Sequence, residues 1–308
     1  LLKTHLTLHY KDGRADLATA FVLRCLEFCE DSGATAIVTP QNWHALTNYA
    51  RFRAHLLENY CWQTVVRLGP AAFQDMYWWA ANTLLSIYCS IKPSPDTRFS
   101  GLDVSPPREP REKAHLLKSI PITVAYQSAQ LANPDARIDL REFAVTDYLR
   151  DYANAHVGVQ NGDNPRFLHN FWEHHWGIWE PIQISFDKTI DFAGAHAVLR
   201  PGLTSGHYSE VSWHDQSPGA RGRMGVLIRH MNRLPATFYL GLTFDQNVCA
   251  IVPYREIDLG PVWCFCSSED FQKHVRSIDQ NLKVTNATLV KIPFNLVHWQ
   301  KIAAKKYP

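Results

Sequence analysis

The chain has 308 residues, of which 46% are hydrophobic, 12% aromatic and 19% charged, the size of about two domains with ample material for a core; disordered and collagen-like classes are excluded. Lysine and arginine total 31 against 29 aspartates and glutamates, a formal net charge of +2. A histone-like polycation is therefore excluded, while local basic faces remain open.

Asp16 to Asp31 carries Leu17, Ala20, Phe21, Leu23, Leu26, Phe28 and Cys29 at helical spacing and is stopped by Ser32-Gly33. Ala34 to Thr39 follows as a strand that ends at Pro40, and Trp43 to Tyr60 reads as a second helix. Thr64 to Leu68 is a strand closed by Gly69-Pro70. After a loop through Phe73 and Trp78-Trp79, Thr83 to Cys89 supplies another strand. This alternation predicts an α/β layer on a mostly parallel sheet. It opens on a helix, so the strand that should come first is missing. Six prolines between Pro93 and Pro121 mark an interdomain connection, with a short helix at Arg111 to Lys118. Beyond it, Asp139 to Ala155 reads as helical and Asn161 to Phe167 as a tight polar loop. From about residue 180 the pattern is short strands and turns, with one helix near Glu269 to Leu282. The expected division is 1–92, a linker at 93–125, and 126–308.

Seven cysteines are an odd number for a disulfide framework, and their spacing fits no zinc site. Cys25 and Cys29 share a helix face, Val262 to Cys266 alternates like a strand, and plain buried thiols imply a reducing cytoplasm. His174-His175 is adjacent and so points two ways, and no metal site is expected. No apolar run approaches the roughly 20 residues that span a bilayer. Leu1-Leu2-Lys3 offers neither an initiator Met nor a signal leader, which leaves open a piece of a longer protein.

Ala15 to Phe21, Ala36 to Trp43, Arg53 to Leu57 and Val66 to Phe73, in that order, resemble the second half of the catalytic domain of adenine-N6 DNA methyltransferases, related to type IIG and TaqI-like enzymes. Gln130 to Ile138, Gly162 to Phe167, Ser217 to Ile228 and Val275 to Thr288 resemble the large adenine methyltransferases of BREX-type phage-defence systems. The resemblance implies the C-terminal part of a Rossmann-like methyltransferase sheet (1–92) followed by an α+β target-recognition domain (126–308). It also implies S-adenosylmethionine as cofactor, with Leu17 and Phe21 flanking its adenine and Phe73 stacking on a flipped target base. From periodicity alone, Leu17 and Phe21 read as ordinary core residues. The implied partners are double-stranded DNA, the missing N-terminal half of the methyltransferase and other phage-defence proteins, with no membrane.

The glycine-rich turn, the ribose-holding acid and the Asn-Pro-Pro-Tyr/Phe tetrapeptide of that family are absent, so the cofactor site is incomplete and the isolated chain is expected to be inactive. Two fragments imitate the missing motifs. Phe192 to His196 lacks the second glycine of the cofactor turn and reads as a strand bend. Ser105-Pro106-Pro107-Arg108 has an arginine where the tetrapeptide needs a ring, and is set aside.

DNA contact can also be read from the residues directly. No acid lies between Asp215 and Asp245, whereas Arg221, Arg223, Arg229 and Arg233 all do. In the Ser217 to Arg223 loop, glycines permit close backbone approach and arginine can bind phosphate or guanine bidentately. The lysines after Asp279 read as solvated surface. The Gly162 to Phe167 loop, with Asn164 and Arg166 as candidate contacts, is either a helix-entry turn or a DNA-facing edge. A second reading is a non-catalytic DNA-recognition module that works with a separate catalytic subunit. A carbohydrate-binding protein is a weaker third, because the ten Trp are scattered.

Overall fold

The computed structural model describes residues 1–74, 82–140, 147–160, 163–173, 179–200 and 219–307. They form two units, residues 1–145 with 279–281, and residues 146–278 with 282–308. The fold is mixed α/β.

In the first unit, α1 (Leu2–His9) buries no side chain. The Asp16 carboxylate accepts a hydrogen bond from the Ala18 N–H and so caps α2 (Leu17–Glu27), whose Val22, Leu23 and Leu26 enter the core. There follow β1 (Ala34–Pro40), α3 (Ala50–Asn59), β2 (Cys61–Gly69), β3 (Thr83–Cys89), β4 (Arg98–Asp103), α4 (Pro110–Ser119), β5 (Thr123–Tyr126) and α5 (Gln127–Gln130). The sheet order is β1-β3-β2-β4-β5. β3 is antiparallel to both β1 and β2, and β5 is antiparallel to β4. The β2–β4 pair is the parallel one, so the expectation of a mostly parallel sheet fails for neighbouring strands. The reason is local. A parallel neighbour needs a crossover element; α3 provides one between β1 and β2, but between Gly69 and Thr83 no helix is found among the described residues, and β3 returns antiparallel between the two.

Residues 93–125, expected as a linker, hold β4, α4 and most of β5 and extend the sheet. Their prolines punctuate these elements rather than abolish them: Pro110 opens α4, where its missing N–H costs nothing. The expected helix from Trp43 is shorter, with 3-10 turns at Gln41–His44 and Thr47–Tyr49 preceding α3. The core is aromatic: Trp62 packs edge-on against Tyr88 at 5.0 Å and Trp43 at 6.1 Å. These buried tryptophans are structural, which weakens the carbohydrate reading.

The second unit comprises β6 (Ala153–Val157), α6 (Asn164–Phe167), β7 (Leu168–Asn170), β8 (Glu180–Gln183), β9 (Ala197–Leu199), β10 (Gly225–Arg229), β11 (Ala236–Tyr239), β12 (Thr243–Phe244) and β13 (Val248–Pro253). They make two four-stranded sheets, β11-β10-β13-β6 and β12-β8-β9-β7. Helices α7 (Leu259–Cys266), α8 (Glu269–Ile278), α9 (Asn286–Val290) and α10 (Leu296–Lys306) follow, and all four contribute to the core around β10 and β13. Val262 to Cys266 is thus helix, not strand: every one of its side chains is buried, and a short run buried on all sides carries no period to read. The helix expected over Asp139 to Ala155 is a 3-10 turn at Leu149–Asp151 followed by β6, with residues 141–146 outside the described residues. The seven cysteines are unpaired thiols.

No helix among the described residues is long and apolar enough to cross a membrane, and no metal-holding cluster of His, Cys, Asp and Glu occurs among them. His174 and His175 lie outside them.

Candidate functional site

Strands β1 and β2 flank β3 and run the same way, and Pro40 and Gly69 both stand opposite Thr83. Arg67 of β2 lies beside Asp103 of the parallel β4. The carboxyl ends of β1, β2 and β4 therefore share one edge of the sheet, the edge at which α/β sheets bind ligands. Helix α2 leads into β1 through a short turn and runs against it, which carries its first residues back to that edge. Tyr49, in the segment leaving β1, reaches the capping Asp16 at 3.5 Å.

On α2 and its C-cap, Leu17, Phe21, Arg24 and Phe28 recur at i, i+4, i+7 and i+11 and form an exposed stripe opposite the buried one. Leu17 is 46% and Phe21 58% exposed. The core reading of these two residues therefore fails: the helix is apolar on two faces and buries only one. β1 is the terminal strand of its sheet, and its Ala34, Ala36, Val38 and Pro40 are exposed as well.

Phe73 is half-exposed, on a loop that leaves β2 through two left-handed residues, Gly69 (φ 66°) and Ala71 (φ 52°). The root of this loop is tightly built. Lys113 of α4, 2% exposed, donates to the carbonyls of Leu68 at 2.6 Å, Val104 at 3.1 Å and Ser105 at 3.2 Å, tying the ends of β2 and β4 together. Burial lowers the pKa of its ammonium, and Asp103 acts in the opposite sense. Ser105 Oγ donates to Asp103, and Gln280 Nε2 donates to Ser105 Oγ. Ser105-Pro106 thus closes a turn beside Gly69, consistent with a structural role for the tetrapeptide look-alike. Sequence reasoning missed Lys113 and Gln280, because a lysine in an amphipathic helix carries no mark of being buried.

Two of the family-like strings meet in the interior. The guanidinium of the fully buried Arg53 donates to the carbonyls of Trp43, Leu46, Asp135 and Ala136. Asp135 and Ala136 both adopt positive φ, 58° and 50°. The Arg53 and Gln130–Ile138 strings are therefore two halves of one structural lock. Nearby, His44 is enclosed against Trp43 and Trp62. Burial, reinforced by Arg67 and Arg53, holds its pKa well below the usual histidine value, so the ring is neutral.

In the second unit, the Arg221-Gly222-Arg223 turn leads into β10. Gly222 (φ 74°) donates its N–H to the Gly241 carbonyl at 2.9 Å. Arg223 is exposed and donates to the Pro253 carbonyl at 2.6 Å, and Arg221 is part-exposed. Arg229 is different: its guanidinium pairs with Asp187 and with the Phe186 carbonyl, so its charge is already compensated and it is a weaker DNA candidate than the sequence implied. Ser217 and Pro218 lie outside the described residues.

Asp163 caps the single-turn α6, accepting from the Arg166 N–H at 3.3 Å, and Phe167 is buried. The Asp163 to Phe167 segment is thus a helix-entry turn, on which Asn164 and Arg166 remain exposed; Gly162 lies outside the described residues. Gly194 (φ 73°) is a turn whose added Cβ would stand 2.2 Å from the Ile184 carbonyl oxygen, so its glycine is explained by packing within the unit.

No protein-family model matches the chain, and neither does any curated protein. Among solved structures, the DNA-bound Type IIL restriction-modification enzyme MmeI is similar over 94% of this chain, with a TM-score of 0.54 and 12% identity. The chain spans 43% of that enzyme. A nuclease-deletion mutant of the Type ISP restriction-modification enzyme LlaGI, bound to a DNA substrate mimic, shows a TM-score of 0.49 at 9% identity, over 95% of this chain and 36% of its own. At such identity the likeness to MmeI establishes the fold alone: this chain shares the mixed α/β architecture of the part of that enzyme it matches.

Proposed function

We propose that the chain is part of a site-specific DNA methyltransferase that transfers a methyl group from S-adenosylmethionine to adenine N6 in duplex DNA, in phage defence of the BREX kind. The observation that carries this reading is the carboxyl edge of the first sheet. Two apolar side chains, Leu17 and Phe21, stand exposed on a helix already packed on its other face, and an exposed Phe73 rises from a loop rooted at the same edge. An exposed Leu–Phe pair fits one side of a planar purine, and these two would hold the cofactor's adenine. The cofactor would supply an activated methyl group.

The residues of this chain position and stack. Phe73 offers its ring to an extruded adenine, which offsets part of the few kcal/mol needed to unstack it. Lys113 and Gln280 fix the root from which Phe73 projects. The tetrapeptide that accepts hydrogen bonds from the target amine in the family is not in this sequence, so the chemistry needs a further segment that brings it. The outer edge of β1, which pairs with no strand among the described residues, favours a polypeptide continuing the sheet there, either the N-terminal half of one enzyme or a separate catalytic subunit.

Arg221 and Arg223 bind the duplex, with Asn164 and Arg166 as further contacts and Arg229 in a supporting place. Replacing Arg221 and Arg223 together with Ala weakens duplex affinity and removes about two units from the slope of log K against log salt. Anisotropy titrations with a labelled duplex measure both, and unchanged binding at low salt rules this turn out.

A further inference from the structure

Helix α1 is anomalous. It contributes no side chain to the core, yet with the Lys11–Ala15 turn and with Asn48 and Arg51 it walls a cleft of about 700 Å³. Four of the lining side chains are cationic, Lys3, Lys11, Arg14 and Arg51, and all four are exposed. The one acid in the lining, Asp12, lies 3.5 Å from His55, and none of the four cations forms an ion pair among the described residues. Folding brings four cations together with one carboxylate, Asp12, among them, and the excess of positive charge is relieved by an anion from outside. The cleft also borders the carboxyl edge: Ala15 directly precedes the α2 cap, and Asn48 and Arg51 belong to the chain that leaves β1. α1 is about 12 Å long, the rise of three to four nucleotides along one DNA strand.

We infer that this cleft is a second DNA-contact surface, a cradle for consecutive phosphates of a duplex, on the first unit. It rests on the reading of the chain as a DNA-binding protein, and it adds a surface to which no DNA contact had been assigned.

The test uses the full chain and a fluorescein-labelled duplex of arbitrary sequence, titrated by anisotropy between 50 and 200 mM salt. The variant Lys3→Gln/Lys11→Gln/Arg14→Gln/Arg51→Gln is expected to lose three to four phosphate contacts, about 2.7–3.6 units of salt slope, so that its affinity falls roughly 40- to 150-fold less over that range than the wild type's. Its thermal melt should not fall, because the four side chains are exposed and their neutralisation relieves like-charge repulsion. Lys3→Arg/Lys11→Arg keeps the charge and should keep the wild-type slope. If the wild type binds duplex and Arg221→Ala/Arg223→Ala lowers the slope while the cleft variant does not, the cleft inference alone is overturned. If the wild type binds no duplex, the cleft inference and the DNA-binding reading both fall.

Discussion

Gly69 is the residue through which β2 hands the chain to the Phe73 loop, and replacing it with alanine meets two separate penalties. Its φ of 66° is left-handed, which costs a residue with a Cβ about 1–2 kcal/mol. The added Cβ would also stand 2.5 Å from Ser105 Cβ and 2.8 Å from Ser105 Cα. The second of these is backbone, held by the Lys113 and Asp103 contacts, and it cannot swing aside. Overpacking of that kind costs about 1–3 kcal/mol, for a total of roughly 2–5 kcal/mol, a large share of the ~5–15 kcal/mol that holds a domain together. Urea unfolding followed by hydrogen exchange of the β2 and β3 amides should show the loss in the first unit, with β10 and β13 unaffected. Gly69→Ala combined with Ser105→Gly removes the nearest clash and should recover part of the packing penalty, while the contact with the Cα of residue 105 and the left-handed cost remain. A Gly69→Ala chain that unfolds within ~0.5 kcal/mol of wild type, the usual span of a neutral surface change, would refute the view that this loop root is rigidly built.

Acid should destabilise both units through buried neutral histidines. The pKa of His44 is lowered by burial from its ordinary 6.5, so its contribution is fully present above that value. It is lost as pH falls below it, because the unfolded chain takes up the proton first, with a slope of about 1.4 kcal/mol per pH unit. His44→Phe should remove that slope from the unfolding of the first unit between pH 7 and pH 5, and an unchanged acid limb contradicts the assignment. His230, whose ring nitrogen Nδ1 bonds the Val284 carbonyl at 2.9 Å and whose pKa burial lowers, has the same sign in the second unit. His230→Gln should flatten the acid limb there and leave that of the first unit intact.

The parts of the molecule legible from sequence were those with a period or a stop signal. Helix α2 is one, with Asp16 before it and Ser32-Gly33 after it, and strands β1 to β3 are others. The order of those strands was not legible, because alternation does not reveal that β3 slips between its predecessors. Prolines misled at 93–125, since Pro110 is as much at home at the start of a helix as in a linker. At the candidate site, Leu17, Phe21 and Phe73 stood out through their ordered strings, and tertiary packing then decided between core and surface. Lys113, Gln280 and the four cations of the α1 cleft had no sequence signal: each is an ordinary polar residue until the fold gives it neighbours. Arg229 shows the converse, a residue conspicuous by charge whose partner, Asp187, lies 42 positions away.

The most direct measurement is transfer of tritiated methyl from S-adenosylmethionine to duplex DNA. It is made with this chain alone and with the chain joined by a polypeptide carrying the glycine-rich turn and the Asn-Pro-Pro-Tyr segment. A chain that holds one side of a methyl-transfer cleft gives no turnover alone and turnover when joined. Phe73→Ala should then reduce the joined activity roughly 5- to 150-fold, the worth of one base–aromatic stack. Turnover by the chain alone, or joined activity indifferent to Phe73, would contradict it.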